Sequence, residues 1–164
     1  MERLWAPWRM EYVGKEQRPG CLFCRVIRDP DDPDAQLAVW RPPGALVILN
    51  KFPYNPGHAM VAPQAHVPGL EALDDEKTTQ LMRAVSRTIE VLRRTMQPEG
   101  FNLGANVGRA AGAGIPDHVH FHIVPRWTGD TNFMPVLADV KLISDEMRKT
   151  WKEIRKVLAV NGKQ

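Results

Sequence analysis

An α+β fold with a mainly antiparallel sheet is what this 164-residue sequence predicts, and three observations predict it. Short apolar runs of strand length lie on both sides of one long helical stretch. That stretch, residues 74–96, interrupts the strands instead of alternating with them, which argues against a parallel α/β pattern. Late in the chain, His118, His120 and His122 stand at alternate positions in HVHFHIV, the periodicity of a strand.

Length and composition fit one domain with a single core. The apolar fraction is 43%, the charged fraction 25% and the formal charge +3. This mild basicity suits a polyanionic small ligand. Lys and Arg are spread along the chain, so nucleic acid is not expected as a partner. No run of 18 apolar residues and no signal-type segment occurs, so a cytoplasmic protein without a membrane span is expected. Cys21 and Cys24, the two cysteines, cannot form a disulfide framework and point to metal or redox chemistry.

The elements follow in order. Residues 1–20 are aromatic and basic, broken by Pro7, Pro19 and Gly20, and Trp5, Trp8 and Tyr12 are expected to dock on a surface. Cys21 opens the first ordered turn, and RDPDDPD at 28–34 is a loop. Residues 37–40 and 45–49 read as strands joined by RPPG at 41–44. NKFPYNPGH at 50–58 is a Pro/Gly loop leading into a strand that ends at Pro63. His58, within that turn, reads as a hydrogen-bonding surface group.

Along 74–96, Leu81, Val85, Ile89, Leu92 and Met96 form one helical stripe. Acidic residues stand at its start and Arg93 and Arg94 near its end, as the helix dipole favours. Pro98 and Gly100 stop it. Residues 101–107 and 118–124 read as the last two of about five strands, separated by a Gly/Ala loop. A second main helix begins at Ser144, with Met147, Trp151, Ile154 and Leu158 as its stripe.

Two chemistries compete for the histidine row. Alternate histidines on a strand can share one zinc with a third ligand. Alternatively, an imidazole can attack phosphorus and form a covalent intermediate. The glycine-rich loop at 108–114, ending just before His118, favours the second, because its main chain can approach an anion closely. The cysteines need partners of their own. His66 and His118 complete a Cys₂His₂ set with Cys21 and Cys24 and leave His120 and His122 for a substrate. For Trp127, contact with a substrate's base or polyphosphate and packing at the sheet edge stand as equal alternatives.

HVHFHIV is similar to the signature of the histidine triad family, in which three histidines alternate with apolar residues. The likeness extends upstream to Asn50, to the Pro-Gly-His turn at His58, and to Asn102 through the glycine loop. The CxxC is shared with a zinc-binding subset. LWAPWRMEYV at 4–13, PRW at 125–127 and GDTNFMP at 129–135 resemble the branch of bacterial diadenosine tetraphosphate phosphorylases.

The resemblance implies a single HIT-like domain over 1–164. It would have an arm at 1–20, a core at 21–127 and a helical extension at 128–164, and would pair as a homodimer. It implies that His120 is the nucleophile on the α-phosphorus of a nucleotide and that His122 contacts the phosphate. The backbone amides of Ala113, Gly114 and Ile115 would hold phosphate oxygens, with Asn106 bridging toward the scissile side and Asn50 near the ribose. It places a structural zinc on Cys21, Cys24, His66 and His118, the set also reached from spacing. Ile115 departs from the family, which often carries Ser or Thr there.

The implied reaction is nucleotidyl transfer: diadenosine tetraphosphate and phosphate give ATP and ADP. A family hydrolase of dinucleoside polyphosphates or phosphoramidates is the nearest rival, and a nucleotide-binding regulator with little activity is a second.

Overall fold

Alternation of side chains along five short strands divides this chain into two faces. In the computed structural model, which describes residues 19–130 and 147–161, the strands are β1 (Ala38–Trp40), β2 (Ala45–Leu49), β3 (Ala59–Pro63), β4 (Gly100–Ala105) and β5 (Phe121–Arg126). Trp5, Trp8 and Tyr12, residues 131–135 and the expected helix start at Ser144 lie outside the described residues. The strands form one sheet of order β1-β2-β3-β5-β4, antiparallel at every neighbour. The fold is therefore α+β, as the sequence predicts. Among the described residues the last strand in sequence, β5, lies inside the sheet, between β3 and β4.

One face carries Ala45, Val47, Leu49, Ala59, Val61 and Ile123, all buried, with Phe101 and Phe121 packed against them. A long helix, α2 (Asp75–Met96), covers it with Leu81, Ala84, Val85, Val91 and Leu92. Ile89 and Met96 of the expected stripe are partly buried against the same cluster. The Asp74 side chain accepts from the Lys77 amide at 2.8 Å, capping the helix start. Gln97 ends the helix in the left-handed region, φ 50°.

The C-terminal helix, α3 (Met147–Asn161 within the described residues), lays Ile154 into this cluster, with Met147, Trp151 and Leu158 beside it. The Trp151 indole N–H donates to the Ala38 carbonyl at 3.1 Å and ties α3 to β1.

The opposite face carries Leu46, Ile48, Met60 and Ala62, covered by Phe23 and Val26. These two belong to a third helix, α1 (Leu22–Arg28), where the sequence suggests only a turn. Seven residues are too few for a periodic signal. The helix exists because Phe23 and Val26, one turn apart, both find apolar surface on the sheet. Among the described residues no helix is long and apolar enough to cross a membrane.

A second difference concerns the histidine row. The strand begins at Phe121, not at His118. At Val119 the chain leaves the sheet register, and its amide bonds instead to the Val67 carbonyl at 2.7 Å.

Leu92 is fully buried in the α2 cluster and Met82 is 42% exposed on the same helix. Leu92→Ala is expected to lose about 2–5 kcal/mol in urea unfolding. Met82→Ala should stay within about 0.5 kcal/mol of the parent.

Candidate functional site

His118 is fully buried, and both ring nitrogens are committed. Its Nε2 lies 2.8 Å from the Pro63 carbonyl, which can only accept, so Nε2 carries the proton. The lone pair therefore resides on Nδ1. That atom faces Cys21 Sγ at 3.2 Å, Cys24 Sγ at 3.6 Å and His66 Nδ1 at 3.3 Å. Cys24 Sγ is also 3.3 Å from His66 Nδ1. The four candidate ligand atoms all lie within 4.8 Å of one another.

A tetrahedral Zn²⁺ with bonds of about 2.0 Å to nitrogen and about 2.3 Å to sulfur sets N–N pairs about 3.3 Å and N–S pairs about 3.5 Å apart. The four spacings given above lie close to these values. Four electron-rich atoms converging this closely are stabilised by a cation. A ligating imidazole whose second nitrogen donates to a backbone carbonyl is also the usual support for a metal ligand. Burial first, then the neighbouring Cys21 thiol, pushes the Cys24 thiol up. A divalent cation reverses this by stabilising the thiolate.

His120 is 3% exposed. Its Nδ1 lies 2.9 Å from the His118 carbonyl and so carries the proton. The unprotonated nitrogen is Nε2, the atom a nucleophile needs. Burial pushes the pKa of His120 down, with the hydrogen bond to His118 opposing, which favours the neutral ring. The Phe23 ring packs against both His118 and His120, with centroids 5.0 and 4.9 Å away.

His58 corrects the expectation of a surface turn residue, for it is 1% exposed. The Tyr54 amide donates to His58 Nδ1 at 3.1 Å, which places the His58 proton on Nε2. That N–H meets His122 Nδ1 at 3.0 Å, so His122 accepts there and keeps its own proton on Nε2. A fixed main-chain donor thus sets the tautomer of two rings in series. The sequence signal was present in Asn-Pro-Gly-His. Asn55 O accepts from the His58 amide at 3.1 Å, and Gly57 takes φ 75°, as a turn with Pro at its second and Gly at its third position requires. A Cβ on Gly57 would stand 2.5 Å from Met96 Sδ, so the turn also packs tightly on α2.

This turn is fastened to β5. Asn55 Nδ2 donates to the Pro125 carbonyl at 2.9 Å and to Asp130 Oδ2 at 2.8 Å. Asp130 accepts from Arg126 Nε and Nη2 at 2.5 and 2.7 Å. The Arg126 hydrogen bonds, aided by the Trp127 amide and Asn55, hold the Asp130 carboxyl well below the usual carboxylate range against the opposing cost of burial.

The glycine loop stands at the junction of β4 and β5. Their register pairs Gly104 with His122 and Ala105 with Phe121, and Asn106 and His120 follow directly beyond this last pair. Among the described residues, the amides of Gly114 and Ile115 meet no protein acceptor. The Ala113 amide closes the loop onto the Gly108 carbonyl at 3.4 Å. The Ile115 side chain packs beside α1, an apolar use that a hydroxyl would not serve.

Asn50 Oδ1 accepts from the Phe52 amide at 2.9 Å, and its Nδ2 lies 3.4 Å from both His58 ring nitrogens, so it braces the loop at the mouth of the site. Trp127 is not brought to the histidines. It follows β5 at the end away from His120, roughly 20 Å along extended chain.

A model of the HIT domain matches residues 34–129. A Mycobacterium tuberculosis protein named AP-4-A phosphorylase is 36% identical over 159 residues, spanning 92% of this chain and 80% of that protein. A Schizosaccharomyces pombe protein named adenosine 5'-monophosphoramidase hnt1 is 33% identical over 106 residues, 65% of this chain and 74% of the other. Among solved structures, a Zn-bound histidine triad family protein from Mycobacterium smegmatis is similar with a TM-score of 0.67 and 27% identity. It covers 86% of this chain and 94% of its own.

Two outcomes test the site. After loading with Zn²⁺ and dialysis, the wild-type chain should retain about one equivalent, and Cys21→Ser and His66→Ala should retain little, by elemental analysis. Because Asp130 ionises below its unfolded value near 3.9, its contribution to stability is complete above about pH 5 and falls with pH. The stability gap between wild type and Asp130→Asn in urea should therefore narrow from about pH 5 to about pH 3.

Proposed function

This chain belongs to the HIT-domain family, and on that premise we propose that it is a nucleotidyl transferase that cleaves dinucleoside polyphosphates with phosphate as acceptor. The observation that carries the reading is the pair of fixed tautomers. His120 offers a bare Nε2, and His122 keeps a donor N–H two residues away. The likeness to a protein named AP-4-A phosphorylase over 92% of the chain supports the choice of substrate.

The reaction follows from these atoms. The lone pair on His120 Nε2 attacks the α-phosphorus of diadenosine tetraphosphate, and ATP leaves. As the N–P bond forms, positive charge grows on the ring, and the Nδ1–H bond to the His118 carbonyl strengthens. His122 Nε2–H and the amides of Gly114 and Ile115 donate to the phosphoryl oxygens as negative charge builds there. Phosphate then attacks the nucleotidyl-histidine, the N–P bond breaks, and ADP leaves with His120 restored. Asn106 stands beside the scissile side, and Asn50 lies toward the ribose.

Cys21, Cys24, His66 and His118 would hold a structural zinc. When bound, the ion fixes the start of α1 and the His118 ring as a cross-link. His118 itself orients His120 through its carbonyl.

A hydrolase is the second reading, favoured by the likeness to a protein named as a phosphoramidase. The two differ only in the second acceptor. Chromatography of products from diadenosine tetraphosphate separates them. ATP and ADP, formed at a rate that rises with phosphate, are expected; AMP formed regardless of phosphate would mean the hydrolase. Tight nucleotide binding without turnover would mean a regulator. His120→Ala should form no nucleotidyl adduct, and His122→Ala should lose about 10²–10³ in kcat.

A further inference from the structure

We propose that Asn55, seated on Asp130, is a positioning residue that sets the tautomers of His58 and His122. The proposal rests on the reading of His122 as a phosphate-side donor. It adds residues that touch no substrate.

The sheet leaves a gap at this point. Pairing of β3 with β5 ends at Ala59 and Ile123. The next inward-facing carbonyl of β5 on that side, at Pro125, has no strand to meet. Asn55 supplies the donor, at 2.9 Å. Its second N–H goes to Asp130 Oδ2 at 2.8 Å, and Asn55 is only 5% exposed. An amide offers two donors, and here each has a named acceptor.

Asp130 is itself fixed. Arg126 grips both carboxylate oxygens and reaches Asn102 Oδ1 on β4 at 2.6 Å. The clamp therefore ties β4, β5 and the Asn55 turn together.

From the turn the effect passes through the main chain. Asn55 O accepts from the His58 amide at 3.1 Å, and the Asn50 amide donates to the His58 carbonyl at 2.9 Å. Held on both sides, His58 presents Nδ1 to the Tyr54 amide and Nε2–H to His122. Without the clamp, a loop of two prolines and one glycine between Asn50 and His58 has few bonds of its own, and the His58 ring can turn over. His122 would then exchange between tautomers, and its donor would face the phosphate for only part of the time. Asn55 acts on the strand that carries His122, three residues from its anchor at Pro125.

The test is Asn55→Ala in the full chain, loaded with zinc. Histidine side-chain nitrogen–proton correlation spectra read the tautomers. The wild type should show His58 and His122 each protonated on Nε2. Asn55→Ala should show mixed tautomers at both, with His118 and the metal content unchanged. With diadenosine tetraphosphate and phosphate, kcat should fall about 10- to 100-fold while KM stays within about threefold. Wild-type tautomers in the folded variant, or a raised KM with unchanged kcat, would overturn the proposal. If Asn55→Ala does not fold, Asp130→Ala, which leaves the turn's own hydrogen bond in place, is read by the same two criteria. If the wild type does not turn over the dinucleotide, the proposed substrate fails, and the spectra still decide the role of Asn55.

Discussion

The arrangement of the site depends on one residue, His118, and on how its polar atoms are shared out. Nε2–H is spent on the Pro63 carbonyl, which turns the lone pair of Nδ1 toward Cys21, Cys24 and His66. Its carbonyl takes the Nδ1 proton of His120. A single buried ring thus joins the ligand cluster to the proposed nucleophile. The joint is directional, because each partner is a fixed donor or acceptor. Removing Pro63 O as a partner would free His118 to change tautomer, and the ligand set would lose its fourth lone pair.

Hydrogen bonds of this kind give the rings their different chemistry. The histidines stand at alternate positions, and their sequence spacing alone makes them equivalent. His118 is fixed by a carbonyl from the end of β3. His120 is fixed by the main chain of its neighbour. His122 is fixed from the side by His58, which a main-chain amide orients in turn. Low exposure makes these assignments costly to break, since a buried imidazole left without its partner keeps the full desolvation cost.

Much of this was legible in the sequence. The stripe from Leu81 to Met96 and the acidic start at Asp74 gave α2 to within a residue, because period and caps are local signals. The strand at 45–49 was found whole for the same reason. Cys21, Cys24, His66 and His118 were gathered from ligand chemistry alone, and the structure brings them together.

What was missed is long-range. His58 looked like a surface turn because nothing local says that β5 will lie beside β3. Its burial is a consequence of sheet order. Asn55 and Asp130 are 75 residues apart and meet only once the turn is seated on β5. The helix α1 is too short to announce itself, and the late start of the histidine strand goes with the bond from the Val119 amide to the Val67 carbonyl.

The placement of β5 has a consequence for how the protein comes to be active. This strand is made after the other four and must pair with β3, about sixty residues earlier, as well as with β4. Contacts of such separation carry a large loop-closure cost and form late. Before β5 is inserted, β3 and β4 are not neighbours, and no partial sheet holds any of the alternate histidines. A nascent chain released short of Phe121 lacks the strand that joins β3 to β4. Closure of the sheet and assembly of the histidine site are therefore one event.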